Sequence, residues 1–261
     1  MKILVIGDVC GEPCVEFLSK NLRKLKQREQ ADLVIVNGEN ASMRGISPAQ
    51  ADEILYSGAD VITLGNHAFA NRQSWDYLDE TRDVIRPLNL SPKKPGMGYT
   101  VVECCGKRVC VVNLMGQLNM DFSVDSPFRA MDALLKQQDA DVYVVDFHAE
   151  ATSEKKAFAY GVAGRVAAVF GTHTHVPTAD EQVLPGGTGY ISDIGMTGGV
   201  ASVIGVKWQQ SLEFFTGGLG QRFQSSNEDL RIQGAVFTLD GAGKCTEVRR
   251  VEYKEGARWQ N

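Results

Sequence analysis

The chain is organised around one stretch in its second half, Val166-Ala167-Ala168-Val169-Phe170-Gly171-Thr172-His173-Thr174-His175. An apolar run of small and β-branched residues that ends at a glycine predicts a buried strand followed by a loop. Two imidazoles at positions i and i+2 of such a loop can turn toward the same side of the sheet. They are either a pair of metal ligands or two hydrogen-bonded loop histidines, and this stretch alone leaves both interpretations open.

The other two of the chain's four histidines, His67 and His148, also follow apolar runs directly. These and similar runs predict further strands at residues 2–6, 33–36, 61–64 and 142–145. In the strand-helix-strand order of the first part of the chain, the strands are parallel and their carboxyl ends open on one side of the sheet. We therefore expect Asp8, Glu39, Asn40, Asn66 and His67 to gather on one rim. Two later strand ends add His148, His173 and His175 to this set of polar residues.

These side chains offer oxygen and imidazole but no thiolate, a donor set that suits Mn, Fe or Zn. Their number exceeds what one tetrahedral site needs, so the simplest arrangement is two metals that share one carboxylate. Two ions roughly 3.5–4 Å apart would support attack of a metal-bound hydroxide on phosphorus, because they stabilise both the attacking and the leaving oxygen. The residue types do not choose among the three metals.

Five short motifs carry a resemblance to a known family: Gly7-Asp8, Gly38-Glu39-Asn40, Gly65-Asn66-His67, His148 and Gly171-Thr172-His173-Thr174-His175. In this order and spacing they resemble the motifs of the calcineurin-like metallophosphoesterases. Residues 146–155, 184–188 and 193–198 are similar to the YmdB-type bacterial branch. The resemblance covers nearly the whole chain and implies an α/β fold, a sandwich of two mixed β-sheets flanked by helices.

The resemblance also implies a role for each site residue. One metal would be held by Asp8, Glu39, Asn40 and His175, and the second by Glu39 as the bridge with Asn66, His148 and His173. His67 follows a ligand without being one, and it would be the general acid that protonates the leaving alkoxide. The implied cofactors are two divalent metal ions, Fe or Mn, with Zn as the alternative. Their positive charge would attract an anionic phosphodiester despite the acidic chain.

Four positions depart from the wider superfamily. The usual Asp-x-His becomes Asp8-Val9-Cys10, so one histidine ligand is missing, and Asn40 replaces it better than Cys10 does. The bridging residue is Glu39 rather than aspartate. Both of these changes agree with the YmdB-type branch. Ala68 stands where many relatives have glutamate, and Phe69-Ala70 stands where the closer branch has Trp-Asp. Because Phe69-Ala70 adjoins the general acid, it leaves the substrate preference open.

Length and composition set the class of protein. A chain of 261 residues can bury a full core, and we expect a single domain over residues 1–261. The net charge of −5, with no basic block, argues against sequence-specific binding of nucleic acid. No apolar run approaches about 20 residues and the first residues are too short a run for a signal peptide, which predicts a cytoplasmic protein without membrane contact.

The remaining elements follow from local patterns. Helices are predicted to begin at residue 12 and to cover residues 48–57, 75–82, 126–138 and 153–160. Hairpins are predicted for residues 99–114, 182–192 and 232–253. The glycine-rich residues 195–199 are either a backbone turn near the site or part of a phosphate pocket. Residues 205–215 are either a short helix or an extended segment, and Asp193 is expected near the site without being a ligand.

Three functions are compatible with the sequence. The first is a di-metal phosphodiesterase that hydrolyses cyclic nucleotides, with 2′,3′-cyclic nucleotides such as 2′,3′-cAMP implied by the resemblance. The second is a regulatory or scaffold protein whose vestigial metal site no longer supports turnover. The third is a phosphomonoesterase or nucleotidase. The resemblance also suggests a homo-oligomer.

Overall fold

The computed structural model describes residues 1–120 and 123–255, which contain fourteen strands and six helices. The strands are β1 Lys2–Ile6, β2 Asp8–Val9, β3 Leu33–Asn37, β4 Val61–Thr63, β5 Val84–Ile85, β6 Tyr99–Cys104, β7 Lys107–Met115, β8 Val142–His148, β9 Ala168–Thr172, β10 Gln182–Leu184, β11 Thr188–Ile191, β12 Met196–Gly199, β13 Leu230–Leu239 and β14 Cys245–Lys254. The helices are α1 Glu12–Glu29, α2 Pro48–Tyr56, α3 Ser74–Glu80, α4 Pro127–Gln137, α5 Thr152–Val162 and α6 Trp208–Phe215.

The strands form two mixed sheets. The first has the order β2-β12-β13-β1-β3-β4-β5, with β14 paired to β13, and the second has the order β10-β11-β9-β8-β7-β6. In the first sheet β1, β3, β4 and β5 are parallel, and β13 runs antiparallel to β1. In the second sheet β7, β8, β9 and β11 are parallel, and β6 and β10 are antiparallel at its edges. The predicted α/β fold with two mixed sheets is confirmed.

The two sheets pack face to face, and helices cover their outer faces. Successive residues of a strand point to opposite faces, so Leu4 and Ile6 contact the core beneath α1 and α2, while Ile3 and Val5 contact the second sheet. A third apolar cluster joins the outer face of the second sheet to α4 and α5. Strands buried on both faces explain why the sequence shows continuous apolar runs rather than alternation.

The carboxyl ends of the central parallel strands meet at one edge of the sandwich. Two glycines allow the chain to approach closely there. A Cβ on Gly7 would lie 2.0 Å from the carbonyl oxygen of Gly195, and a Cβ on Gly171 would lie 1.8 Å from that of Ser192. Any side chain at either position would displace the segment between β11 and β12, which borders the same edge.

Two local predictions need correction. Asp8, predicted to follow the end of the first strand, lies in the short strand β2. Residues 196–199, predicted to belong to a turn or a phosphate pocket, form the strand β12. β12 pairs in parallel with β2 and antiparallel with β13. Glycine-rich sequence has low intrinsic strand preference, so this pairing comes from the neighbouring strands. Of the two alternatives for residues 205–215, a short helix or an extended segment, the structure shows the helix, α6.

None of the helices in residues 1–120 and 123–255 combines the length and the apolar character that a bilayer crossing requires.

Candidate metal centre and active site

The structure brings the eight predicted site residues into one connected cluster at the shared edge of the two sheets. Each contacts at least one other member through a hydrogen bond or a short nitrogen-oxygen approach. The first sheet supplies Asp8, Glu39, Asn40, Asn66 and His67, and the second supplies His148, His173 and His175. The expected rim therefore exists, but two sheets share it.

Glu39 lies at the centre of the cluster and is almost completely buried. Its Oε1 is 3.3 Å from His148 Nε2 and 3.5 Å from His67 Nδ1, and its Oε2 accepts the backbone N–H of His67 at 3.1 Å. The candidate ligand atoms of Glu39, His148 and His173 all lie within 4.8 Å of one another. These three residues form a group that could hold a metal ion.

Asp8 supplies a second carboxylate next to His175. Its Oδ2 accepts the backbone N–H of His173 at 3.2 Å, and its Oδ1 lies 3.8 Å from His175 Nε2. Oδ1 is buried and has no hydrogen-bond partner among the residues that the structure describes. Buried carboxylate oxygens are nearly always satisfied, so this orphaned atom fits a cation ligand.

Hydrogen bonds outside the cluster orient the imidazoles. His148 Nδ1 is 2.8 Å from the hydroxyl of Thr172, which donates to Asp146 Oδ1 at 2.7 Å. The Thr172 hydroxyl is thus an acceptor for His148 Nδ1–H, and Nε2 faces Glu39. His175 Nδ1 is 2.8 Å from the carbonyl oxygen of Ile204, so its Nε2 also faces the cluster.

In His173, Nδ1 rather than Nε2 faces the cluster. Its Nδ1 is 3.1 Å from His148 Nε2, and its Nε2 is 3.2 Å from Glu150 Oε2. His173 and His175 have φ angles of 100° and 64°, in the left-handed region that side chains rarely adopt. This backbone turns both rings toward the cluster, and strain of this kind is typical of functional sites.

Crowding of charges in a buried place shifts the pKa values of the cluster. Burial raises the pKa of Asp8, against the opposing charges of His175 and His148. Burial would also raise the pKa of Glu39, but His148 and His67 hold it well below 4.5. Burial would lower the pKa of His148, but the carboxylates of Glu39 and Asp8 raise it. For His173, burial and the charge of His148 lower the pKa to about 3. The carboxylates thus require positive charge close by.

Asn40 faces the cluster with its amide nitrogen. Nδ2 donates to Glu39 Oε1 at 3.1 Å and lies 3.2 Å from His175 Nε2, whereas Oδ1 is 2.8 Å from His67 Nδ1. Amide nitrogen is not a metal ligand, so a ligand role for Asn40 requires its amide to turn over. In the present arrangement Asn40 orients His67. Cys10 Sγ lies 3.5 Å from His175 Nδ1 and donates to the backbone carbonyl oxygen of Asp8 at 3.3 Å.

Glycine at position 65 allows the backbone to pass against the cluster. A Cβ there would lie 2.3 Å from both Glu39 Oε2 and His148 Nε2. Alanine cannot occupy this position unless both of these side chains move.

Sequence reasoning missed four residues that support the cluster. Asp146 and Thr172 orient His148, Glu150 contacts His173, and Lys155 donates to the carbonyl oxygen of Thr172 at 2.9 Å. Two signals could have found them: residues 146–155 lie in a stretch that is similar to the YmdB-type branch, and Thr172 lies within the motif of residues 171–175. Asp193 pairs with Lys155 at 2.8 Å, which agrees with a supporting position.

Comparison with known proteins identifies the family. The family model for YmdB-like proteins matches residues 4–251. The chain belongs to the YmdB-like family. It is 37% identical over 255 residues to the 2′,3′-cyclic-nucleotide 2′-phosphodiesterase of Bacillus subtilis strain 168, with 96% of each chain covered. The resemblance to the YmdB-type branch of the calcineurin-like metallophosphoesterases is thereby confirmed.

Two solved structures share the fold of this YmdB-like chain. A protein from Thermus thermophilus superposes with a TM-score of 0.91 at 40% identity, covering 98% of this chain and 100% of that one. A phosphatase from Mycoplasma pneumoniae superposes with a TM-score of 0.90 at 35% identity, covering 97% and 93%. The Bacillus subtilis phosphodiesterase and the Mycoplasma pneumoniae phosphatase confirm the prediction of a phosphoesterase at the level of the enzyme class. The roles predicted for individual site residues stay predictions.

Proposed function

We propose that the protein is a di-metal phosphodiesterase that hydrolyses 2′,3′-cyclic nucleotides such as 2′,3′-cAMP. The observation that carries this proposal is the cluster itself, where two buried carboxylates and three imidazoles converge and Asp8 Oδ1 lacks a hydrogen-bond donor among the described residues. The activity named for the Bacillus subtilis relative supports the choice of substrate. Fe or Mn is proposed as the native metal, with Zn as the alternative.

The residues present fit two cations. Asp8, Glu39 and His175 would hold one, with Asn40 completing the set once its amide turns, and Glu39, Asn66, His148 and His173 would hold the other. When bound, the ions would activate a water for attack on phosphorus and neutralise charge that develops on the phosphoryl oxygens. The chain's own contribution is to fix these ligands from two rigid sheets, so that little rearrangement is needed during the reaction.

His67 is proposed to deliver the proton to the leaving oxygen. Its Nδ1 is held by Asn40 Oδ1 at 2.8 Å, and its Nε2 has no hydrogen-bond partner among the described residues. His67 is about one-fifth exposed and borders the cavity next to the cluster. In the protonated ring, Nε2–H is therefore the donor available to a substrate, while the carboxylate of Glu39, 3.5 Å from Nδ1, stabilises the imidazolium.

Two other functions give different outcomes in the same experiments. A scaffold protein with a vestigial site would bind metal and turn over neither cyclic nucleotides nor other diesters. A nucleotidase would hydrolyse a chromogenic monoester faster than the corresponding diester. A homo-oligomer in the cytoplasm remains part of the proposal, and sedimentation velocity of the purified protein tests the oligomeric state.

The test combines turnover of 2′,3′-cAMP with elemental analysis of His67→Ala and Glu39→Ala. We expect His67→Ala to lower kcat by about 10²–10⁴-fold, because a general acid contributes that much, and to keep a normal metal content. Glu39→Ala should lose both metal and activity, because Glu39 is proposed to contact both ions. Normal turnover by His67→Ala would remove His67 from the mechanism. A metal-loaded wild type that hydrolyses none of these substrates would favour the scaffold.

A further inference from the structure

His67 lines two separate cavities. The first, of about 410 Å³, is lined by part of the metal-ligand cluster and by side chains such as Met43, Ile204 and Glu150, whereas Asn66 lines the second. The second, of about 390 Å³, lies on the other side of His67 and reaches Arg44 and Lys94. A substrate whose leaving oxygen meets His67 can therefore extend into either cavity.

An aromatic wall distinguishes the second cavity from the first. Phe69 and Trp75 both line it, and the indole Nε1–H of Trp75 donates to the carbonyl oxygen of Phe69 at 3.2 Å. This hydrogen bond fixes the indole of Trp75 against the backbone of Phe69. The guanidinium of Arg72 lies 5.1 Å from the Trp75 ring centroid and supports the indole from outside the lining. Bases stack readily on such preorganised rings.

The second cavity is also positively charged. The ammonium of Lys94 lies 4.6 Å from the Phe69 ring centroid, and Arg44 lines the same cavity. Neither side chain forms an ion pair with a described residue, and no described lining residue carries a carboxylate. Ala70, where aspartate was expected, also lines it. An aromatic surface with two cations that have no ion-pair partner among the described residues is complementary to a base and a phosphate.

We infer that the second cavity is the nucleoside subsite of this enzyme. The base lies against Phe69 and Trp75, and Arg44 with Lys94 receives a 5′-phosphoryl group on the same nucleotide. The preferred substrate is then a nucleotide that carries both a 2′,3′-cyclic phosphate and a 5′-phosphate, either free or as the 3′ end of an oligonucleotide. The first cavity is less suited to the nucleoside, because it offers aliphatic side chains and the carboxylate of Glu150. This inference rests on the proposed function.

The test compares three substrates of the metal-loaded enzyme: 2′,3′-cAMP, its 5′-phosphorylated form, and glycerol 1,2-cyclic phosphate, a cyclic diester without a base. In Phe69→Ala, the ratio of kcat/KM for 2′,3′-cAMP to that for the glycerol diester should fall about tenfold, since stacking is lost. The matched control is Tyr56→Ala, which removes an exposed aromatic ring outside both cavities. A dinucleotide that ends in the 2′,3′-cyclic phosphate is then compared with the free 5′-phosphorylated nucleotide, and the higher kcat/KM shows which of the two the enzyme prefers.

Lys94→Ala should abolish most of the preference for the 5′-phosphorylated nucleotide, whereas Lys93→Ala should not, because Lys93 does not line the second cavity. Unchanged ratios of kcat/KM in Phe69→Ala and Lys94→Ala would overturn the subsite. An equal loss of kcat/KM on all three substrates would also overturn it, because that result would show only damage to the loop that carries His67.

If the wild type hydrolyses none of the substrates, the proposed function fails. Equilibrium titration with adenosine 5′-monophosphate then tests separately whether the second cavity binds a nucleotide. A Kd raised about tenfold in Phe69→Ala and Lys94→Ala supports the subsite, and an unchanged Kd rejects it.

Discussion

Asp146 shows how a single buried residue organises the metal centre without being part of it. It is fully buried, and burial raises its pKa to about 6 in spite of the nearby charge of His148. Its Oδ2 accepts hydrogen bonds from Thr63 and Asn37 of the first sheet, and its Oδ1 accepts the hydroxyl of Thr172. Asp146 therefore joins the two sheets beneath the cluster and, through Thr172, fixes the ring of His148.

Replacing Asp146 with asparagine should weaken metal binding about 10–100-fold, which is the usual cost of losing an outer hydrogen bond to a ligand. The amide would present a donor to groups that are themselves donors, so the hydroxyl of Thr172 would turn and release His148. Metal retained after dialysis against increasing chelator measures the effect. Asp139→Asn, at an exposed acid, is the matched control. Retention equal to wild type would mean that Asp146 does not position His148.

At the scale of elements, α5 connects the two chain segments that border the metal centre. Lys155 of α5 is buried and donates to Thr172 at the end of β9 and to Asp193 between β11 and β12. Asp193 in turn accepts the backbone N–H groups of Thr174 and Gly195. The strained loop with His173 and His175 is therefore held by one buried ion pair.

Lys155→Met should lower the free energy of unfolding by about 3–5 kcal/mol, because it leaves the carboxylate of Asp193 buried without its partner. Urea unfolding followed by circular dichroism gives this value. Lys156→Met is the control, since Lys156 is half exposed and its contact with Asp180 at 3.7 Å should contribute at most about 1 kcal/mol. Equal losses of unfolding free energy in the two variants would show that the buried Lys155–Asp193 pair contributes no more to stability than the exposed contact of Lys156.

At the scale of the whole molecule, the candidate metal centre is a junction between two sheets. Glu39 and Asp8 come from the first sheet, and the three imidazoles of His148, His173 and His175 come from the second. Cations bound here would connect the two sheets directly and offset repulsion between buried groups of like charge. Metal binding should therefore be coupled to global stability.

Removal of metal with a chelator should lower Tm by roughly 5–10 °C. Ions at about 100 times their Kd contribute roughly 2.7 kcal/mol, and each kcal/mol corresponds to about 2–4 °C in a protein of this size. Calorimetry with and without chelator, followed by addition of metal, measures the shift. In Glu39→Ala the chelator should have little effect. A similar shift in that variant, or none in the wild type, would contradict binding at this cluster.

The sequence by itself determined the central strands, the capped helices and the set of polar residues at the strand ends. These features are local: an apolar run specifies a buried strand, and Ser47, whose hydroxyl accepts the N–H of Gln50 at 3.2 Å, specifies where α2 begins. The motif order was sufficient for the family, which the comparisons confirm. A single domain over the whole chain stays a prediction.

Only the tertiary structure decided how those residues face one another. Glycine-rich β12 becomes a strand because β2 and β13 offer paired edges, and Asp146 becomes a support because the other sheet places Thr63 and Asn37 against it. The ring nitrogen that each histidine presents, and the amide atom that Asn40 turns toward His67, depend on partners far away in the chain. Contacts of this kind are non-local, and no pattern within a window of sequence encodes them.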